Sequence, residues 1–377
     1  MAVFDQPSSS YSDTTPQKRA LSDVISVISP RDTPLLAYLG FDSVSKFNLV
    51  NWPATSFEVL ENPLDPLTGN LLSASITAAA LTITVDDASE IQVGDVINID
   101  SEQMVASAVN TSTNVVTVYS RSYGGTNATH SDNAAVDIIG MARLEGAESD
   151  ASALTDVTTR TNYTQIFHKE IKVSRTDNMI TRYGMGGTFD YYAMQAMVSL
   201  ARKLELAAIR GVSAAGTATT PRSFSGLIAS INTAGANTIS AGGAVTQADF
   251  EDTLEATYND GGNPRLAVVS PANMQVIKNF YDSSSFLRVE RTETAVGMVV
   301  NQVKTPFGDV DLLMDRWMTD AEILLLDPDH VGIVTLEPWM QEPLAKTGDY
   351  VRGEVVGEFG LVIRHPLEAH GAIVSIS

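Results

Sequence analysis

The chain has 377 residues, 44% of them apolar, and 45 acidic against 24 basic side chains, so its formal net charge is -21. This length suffices for two or three packed units, and the absence of cysteine excludes disulfides, thiolate metal sites and cysteine nucleophiles. The charge argues against non-specific binding to nucleic acid or anionic lipid, and no stretch has the roughly 18 consecutive apolar residues of a membrane-spanning helix.

The N-terminal region predicts an arm followed by extended strands. Residues 1–34 are rich in Ser, Thr, Asp and Pro, with one short apolar run suited to a helix, and a brief apolar segment, Thr33–Gly40, follows. Lys46–Leu60 alternates loosely with a period of two, which predicts a strand interrupted at Pro53. Tyr163–Val173 alternates in the same way, and we predict that the two segments pair as a long hairpin.

Residues 76–140 have a different pattern of short β segments separated by polar loops. Five such segments in about 60 residues predict a small antiparallel barrel or sandwich inserted at the tip of the hairpin. A polar linker, Gly146–Thr161, leads back to the hairpin. The five segments are Leu81–Val85, Val96–Ile99, Gln103–Val109, Val115–Tyr119 and Ala135–Ile139.

The longest helical pattern in the chain is Thr188–Gly211, with Thr188 as the predicted N-cap and Gly211 as the stop. Apolar residues recur at spacings of three and four, which predicts one buried stripe. The predicted stripe consists of Phe189, Ala193, Ala196, Met197, Leu200, Leu204, Ala207 and Ala208. Arg202, Lys203, Glu205 and Arg210 fall off it.

After Ser213–Thr220, a small-residue loop, helices and strands alternate. Thr246 opens a predicted helix with Phe250, Leu254 and Tyr258 at spacings of four. Leu266–Val269 is a predicted buried strand, and a helix over Asn273–Tyr281 follows it. The remaining predicted strands are Val310–Met314, Ile323–Leu326, Val331–Leu336, Asp349–Val356 and Gly360–Arg364. The whole pattern predicts an α+β fold with long-range strand pairing.

Three kinds of residue cluster were weighed as chemical sites. His365, Glu368 and His370 have metal-ligand chemistry, but spacings of three and two around Pro366 do not place them on one helix face. Gly184–Gly187 precedes a helix, but it lacks the Lys of a phosphate-binding loop and predicts a hinge instead.

Pairs of acidic residues, Asp327 with Asp329 and Asp86 with Asp87, have the spacing of turn residues. The remaining histidines, His130, His168 and His330, are isolated in the sequence, and no GxSxG elbow is present. We therefore predict no catalytic, cofactor-binding or metal-binding residues, no cofactor, and no enzymatic activity.

The order of elements resembles that of the major capsid proteins of tailed bacteriophages, which have the Hong Kong 97-type (HK97-like) fold. Leu266–Lys278 resembles the strand, proline turn and helix of that family's axial domain. Thr305–Val310, Ile323–Pro328 and Tyr350–Pro366 resemble its last axial strands and its peripheral sheet. The insert, through Leu81–Ala88, Val93–Ile99 and Ser120–His130, resembles a small β module that recurs in phage structural proteins.

The resemblance implies a division of the chain into the parts of such a subunit. These parts are an N-terminal arm at 1–45, an extended loop at 46–75 and 141–180, an inserted β-barrel at 76–140, a peripheral domain with a spine helix at 181–222 and 331–377, and an axial domain at 223–330. It also implies that the glycines at 184, 186 and 187 form a pivot at the base of the spine helix.

The function implied by the resemblance is an icosahedral head shell. The subunit would self-assemble into pentamers and hexamers in the host cytoplasm, become part of the virion, and enclose double-stranded DNA without binding it specifically. Portal, scaffolding and decoration proteins are the further candidate partners. Two alternatives remain open from the residues: a phage tail-tube or baseplate structural protein, and a cytosolic hydrolase with an unrecognised site.

Overall fold

The computed structural model describes residues 33–39, 49–50, 53–62, 67–121, 123, 125–146, 157–180, 187–234, 237–282, 290–293 and 299–376. The fold is mixed α+β, as predicted. It divides into two compact units: Met1–Val59 with Arg160–Ser377, and Leu60–Thr159. No helix among these residues is long and apolar enough to cross a membrane. The predicted helix within residues 1–32 and the glycines at 184 and 186 lie outside the described residues.

Six helices and nineteen strands are found in the described ranges. The helices are α1 Pro34–Tyr38, α2 Arg175–Met179, α3 Thr188–Arg210, α4 Leu227–Ala234, α5 Gln247–Asn259 and α6 Pro271–Asp282. The strands are β1 Leu49–Val50, β2 Ser56–Glu61, β3 Asn70–Leu71, β4 Thr82–Thr84, β5 Asp95–Ile99, β6 Glu102–Asn110, β7 Val115–Val118, β8 Ala135–Met141, β9 Thr158–Tyr163, β10 Gln165–Ser174, β11 Thr238–Ser240, β12 Leu266–Val269, β13 Glu290–Glu293, β14 Val299–Thr305, β15 Gly308–Met314, β16 Ile323–Leu326, β17 Val331–Pro343, β18 Tyr350–Ile363 and β19 Gly371–Val374.

The long helix is confirmed as α3, and most of its predicted stripe is buried. Gly187, rather than Thr188, is its N-cap. Gly211 is its C-cap, and this position requires glycine because a Cβ there would lie 2.5 Å from the carbonyl oxygen of Ala207. Two parts of the stripe prediction were wrong: Met197 is 41% exposed, and Glu205, which was placed on the polar face, is completely buried.

A four-stranded sheet in the order β1-β17-β18-β10 packs against α3. β10 pairs antiparallel with β18 along its whole length, from Gln165 opposite Phe359 to Ser174 opposite Tyr350. The predicted pairing of Lys46–Leu60 with Tyr163–Val173 was therefore wrong. The earlier segment instead forms β1, which pairs parallel with β17, and β2, which joins β9 in a two-stranded sheet.

Glycines in β18 leave space for aromatic rings that pack against this strand. A Cβ at Gly353 would lie 2.7 Å from the ring of Phe189 on α3, and a Cβ at Gly357 would lie 2.7 Å from the rings of Trp339 and Phe359. A side chain at either position would occupy the space of these rings. Gly353 and Phe189 are more than 160 positions apart, so local alternation does not reveal their contact.

The second sheet of the first unit has seven strands in the order β11-β19-β16-β12-β15-β14-β13. The predicted buried strand is confirmed as β12, all four residues of which are buried. It pairs parallel with β15 and antiparallel with β16. The helix opened by Thr246 is confirmed as α5, with Phe250 and Leu254 buried, but Tyr258 is 59% exposed and lies beside Phe307.

The unit Leu60–Thr159 contains all five predicted β segments. Its sheet has the order β3-β8-β5-β6-β7-β4, and an antiparallel bridge between Leu72 and Val85 joins the two ends of this order. The sheet therefore closes into a small barrel, which leaves no long free edge. The barrel has its own apolar core, which includes Ile83, Ile97 and Met104.

The packing of α3 predicts that truncating two apolar side chains of this helix changes the free energy of unfolding by very different amounts. Leu200 is 1% exposed and Met194 is 62% exposed. We expect Leu200→Ala to lower the free energy of unfolding by about 2–5 kcal/mol and Met194→Ala to change it by about 0.5 kcal/mol or less. Urea unfolding followed by tryptophan fluorescence measures this, since all three tryptophans belong to the first unit. Equal effects would contradict the buried stripe.

Candidate functional site

The histidines near the C-terminus have structural partners in the described part of the chain. His370 is fully buried, its Nδ1 accepts the amide hydrogen of Asp327, and its Nε2 faces the carbonyl oxygen of Arg364. His365 lies instead near Glu368, with 3.7 Å between Nδ1 and Oε2. Burial lowers the pKa of His370 to about 3, so the ring is neutral at physiological pH. Both of its nitrogens are used by the backbone, and no cluster suited to a metal ion is found among the described residues.

The other histidines weighed in the sequence are not isolated in the structure. His130 contacts Asp100 and Glu102, and His168 lies 2.8 Å from Glu354 across strands β10 and β18. The ring of His330 packs edge-on against that of His365, with centroids 5.6 Å apart. Each of these three rings therefore has a structural partner.

The acidic pairs occupy turns. The side chain of Asp87 accepts hydrogen bonds from the backbone and hydroxyl of Ser89, and Asp86 accepts one from Ser73. The side chain of Asp327 accepts the amide hydrogen of Asp329. The bonds of Asp87 and Asp327 are capping bonds that hold short turns, as the turn interpretation of the sequence predicts, whereas that of Asp86 joins two segments 13 residues apart.

A more unusual arrangement holds the short helix α1 against α3. Oε1 of Glu205 accepts the backbone N–H of Leu35 at 2.7 Å, and Oε2 accepts that of Leu36 at 3.0 Å. The first-turn amides of a helix have no partners within the helix, so a carboxyl group whose two oxygens each accept one of them anchors the start of the helix. Leu35, Leu36 and Leu39 are buried in the core beside this contact.

A second acidic side chain faces the same position. Asp315, directly after β15, is completely buried and accepts the N–H of Trp317 at 2.8 Å. Burial, followed by the charge of Asp315, raises the pKa of Glu205 to about 9, against the lowering effect of the two α1 amides.

The other end of α1 is also anchored by an acid. The hydroxyl of Tyr38 donates to Oδ2 of Asp311 on β15 at 3.1 Å, and burial together with Asp311 raises the pKa of Tyr38. Sequence reasoning missed Glu205 because it was grouped with the charged residues Arg202 and Lys203 that precede Leu204. The signal available was Ile209, which is four positions later and completely buried. A residue four positions before a buried apolar one shares its face.

The barrel contains a second buried glutamate, Glu102, which is paired with an arginine. Arg121 binds both oxygens of Glu102 at 2.9 Å, and its guanidinium also donates to the carbonyls of Thr77, Ala80 and Ala128. Burial alone would raise the pKa of Glu102, but hydrogen bonds from Arg121, from the N–H of Ala128 and from His130 lower it to about 2. Glu102 is thus ionised, and its stabilising contribution is present above the ordinary pKa and lost only as the pH falls toward about 2.

The network predicts that the barrel depends on Arg121. We expect Arg121→Met to lower the stability of the barrel by about 3–5 kcal/mol, because the carboxylate of Glu102 would remain buried without its partner. The matched control is Arg143→Met, which changes the only other basic residue of this unit, an exposed one. Hydrogen exchange of the β5 and β6 amides gives the local free energy of opening. Equal protection in the two variants would contradict this role.

Comparisons with known proteins agree with the fold. A family model described as SU10 major capsid protein matches residues 8–377. The major capsid protein of Escherichia phage Phieco32 is 24% identical over 277 residues, which are 60% of this chain and 78% of that one.

Solved structures show the same architecture. A chain of the cyanophage A-1(L) capsid asymmetric unit aligns with a TM-score of 0.56 at 13% identity, covering 98% of this chain and 99% of that one. A chain from Mycobacterium phage Adephagia aligns with a TM-score of 0.52 at 13% identity, covering 99% and 98%. At these sequence identities the solved structures show only that the fold is shared. The family model matches nearly the whole sequence and therefore shows the family. The chain belongs to the SU10 major capsid protein family.

Proposed function

We propose that this chain is the repeating shell subunit of a tailed-phage head, forming pentamers and hexamers of an icosahedral capsid that encloses double-stranded DNA. The observation that carries the proposal is the match of the capsid family model over residues 8–377. The likeness to the cyanophage capsid chain over 98% of this chain supports it. Assembly would take place in the host cytoplasm, and the finished location would be the virion.

The parts of the fold suggest how the subunit is organised. We assign α3 as the spine helix and the β1-β17-β18-β10 sheet to the peripheral domain. The seven-stranded sheet, including β19, is assigned to the axial domain. The strands β2 and β9 would form the base of the extended loop, and the barrel would be its inserted module. The contacts of α3 with β10 and β18 support the first assignment.

The charge distribution fits a container for DNA better than a DNA-binding protein. The unit Leu60–Thr159 has fourteen Asp or Glu residues, two Arg and no Lys, so it carries more than half of the net charge of -21. One of its two arginines, Arg121, is occupied by Glu102. An acidic surface repels phosphates and releases no counterions from DNA, so packaged DNA would not adhere to it.

The shell assignment is tested by assembly of the purified chain. We expect expression of the full chain, alone or with a scaffolding protein of its phage, to give closed or open shells by negative-stain electron microscopy. Tubes would favour a tail protein instead, and a discrete monomer under all conditions would contradict both structural functions. No catalytic role is part of the proposal.

Replacing the barrel tests whether it is an independent insertion. Glu61 and Thr158 are close, since the hydroxyl of Thr158 donates to the carbonyl of Glu61. We expect replacement of residues 62–157 with a short Gly/Ser turn to leave the first unit folded, because the two units have separate apolar cores. Urea unfolding followed by tryptophan fluorescence should keep its midpoint. Insoluble protein or a lost transition would contradict the insertion.

A further inference from the structure

The loop between α3 and α4, residues 211–226, has ends that lie directly against each other. The amide of Gly226 donates to the carbonyl of Gly211 at 2.9 Å. A Cβ at Gly226 would lie 2.6 Å from the nitrogen of Gly211, so this close approach requires glycine. Within the loop, Ala214 and Ser223 form an antiparallel bridge. A closed loop of this kind is an Ω-loop, and we call it the clasp loop.

The start of β2 and the end of β9 pack on the face of the four-stranded sheet that lies away from α3. Phe57 is buried and clusters with Val334 and Val362, which alternate with the residues that face α3. A Cβ at Gly360 would lie 2.9 Å from the Phe57 ring. The residues of this contact are called the ribbon base: Thr55, Phe57, Asn162 and Thr164.

Arg222 of the clasp loop joins the ribbon base to β18. Thr164, which links β9 to β10, is completely buried, and its amide donates to the carbonyl of Thr55 at 2.9 Å. The Nε of Arg222 donates to the carbonyl of Thr164 at 3.0 Å, and its Nη2 donates to Oε1 of Glu358. The hydroxyl of Thr164 donates to the same oxygen of Glu358. One arginine therefore contacts both the ribbon base and the sheet.

A second polar bridge joins the clasp loop to the ribbon base at Asn162. Its Oδ1 accepts the amide hydrogen of Ser225 at 2.8 Å. Its Nδ2 donates to the carbonyl of Leu361 on β18 at 2.8 Å and lies 3.3 Å from the carbonyl oxygen of Ser225. Opening either bridge leaves these polar groups in need of new partners, which costs free energy wherever water does not reach them.

We propose that the clasp loop and the ribbon base form one cooperative unit, in which Arg222 and Asn162 fasten the ribbon base to the sheet and neither part opens without the other. Glu358 is buried, so losing Arg222 leaves its carboxyl group without its cation. The clasp loop starts at Gly211, the C-cap of α3, so the unit also links the end of α3 to the ribbon base. This behaviour belongs to the folded subunit and does not rest on the proposed shell function.

Hydrogen exchange of the full chain at single-amide resolution tests the clasp. In the wild type, we expect the amides of Thr164, Ser225, Ala214 and Ser223 to have protection factors within about threefold of one another, because they open together. Arg222→Met should lower all four by about tenfold or more, since hydrogen bonds to a charged group are lost. The amides of β12 serve as the internal reference and should keep their protection. The matched control is Arg210→Met, at an exposed arginine in the last turn of α3, which should leave all four unchanged.

A second variant separates a cooperative unit from a set of local contacts. Asn162→Ala removes the second bridge and keeps Arg222. We expect it to lower the protection of Ala214 and Ser223 by the same factor as that of Thr164, although the clasp-loop residue that Asn162 binds is Ser225.

Three results would overturn the proposal. The first is wild-type protection that differs by more than about tenfold among the four amides. The second is an Asn162→Ala effect confined to Ser225. The third is loss of β12 protection together with the four amides, which would indicate general unfolding. If Arg222→Met does not fold, the wild-type comparison and Asn162→Ala still decide between a cooperative unit and separate contacts.

Discussion

Burial of one face of α3 is the constraint on which most of the first unit depends. The core on this face takes side chains from α1, β10, α4, β12, β16, β17 and β18 as well as from α3 itself. Both sheets of the unit therefore contribute to a single apolar cluster. A helix of 23 residues provides a straight surface long enough for such different elements to pack together.

Aromatic side chains that pack over the glycines of β18 complete this core. Trp339 and Phe359 lie 4.7 Å apart, and both contact Phe167 on β10. Gly357 provides the space for two of these rings and Gly353 for that of Phe189. The glycines of β18 thus act through close approach and not through unusual backbone angles. β18 pairs with β10 in unbroken register over ten residue pairs.

Local patterns in the sequence were sufficient to predict the helices and strands in which apolar residues recur with a clear helical or strand period. The long helix, the buried strand at Leu266–Val269 and the five β segments of the barrel all occur where the spacing predicts them. The pairing of strands could not be predicted from these patterns. Alternation shows which face of a strand is buried but not which distant strand lies beside it. The pairing of β10 with β18 joins segments more than 170 residues apart, and the predicted hairpin was wrong for this reason.

The two buried glutamates show why the chemistry of the site was also beyond the sequence. Glu102 and Glu205 are both completely buried, and nothing in their immediate sequence distinguishes their ionisation. Glu102 faces a guanidinium that binds both of its oxygens, so it remains charged with a pKa of about 2. Glu205 faces two amides and another acid, so it holds a proton up to a pKa of about 9.

This contrast shows two ways in which the fold accommodates a buried acid. A charged pair such as Glu102 with Arg121 stays ionised across the physiological range, and its contribution to stability does not change there. Burial instead raises the pKa of Glu205 to about 9, so this carboxyl group is neutral at physiological pH and its burial carries no unpaired charge. An acidic chain can thus bury one acid beside an arginine and another by retaining its proton.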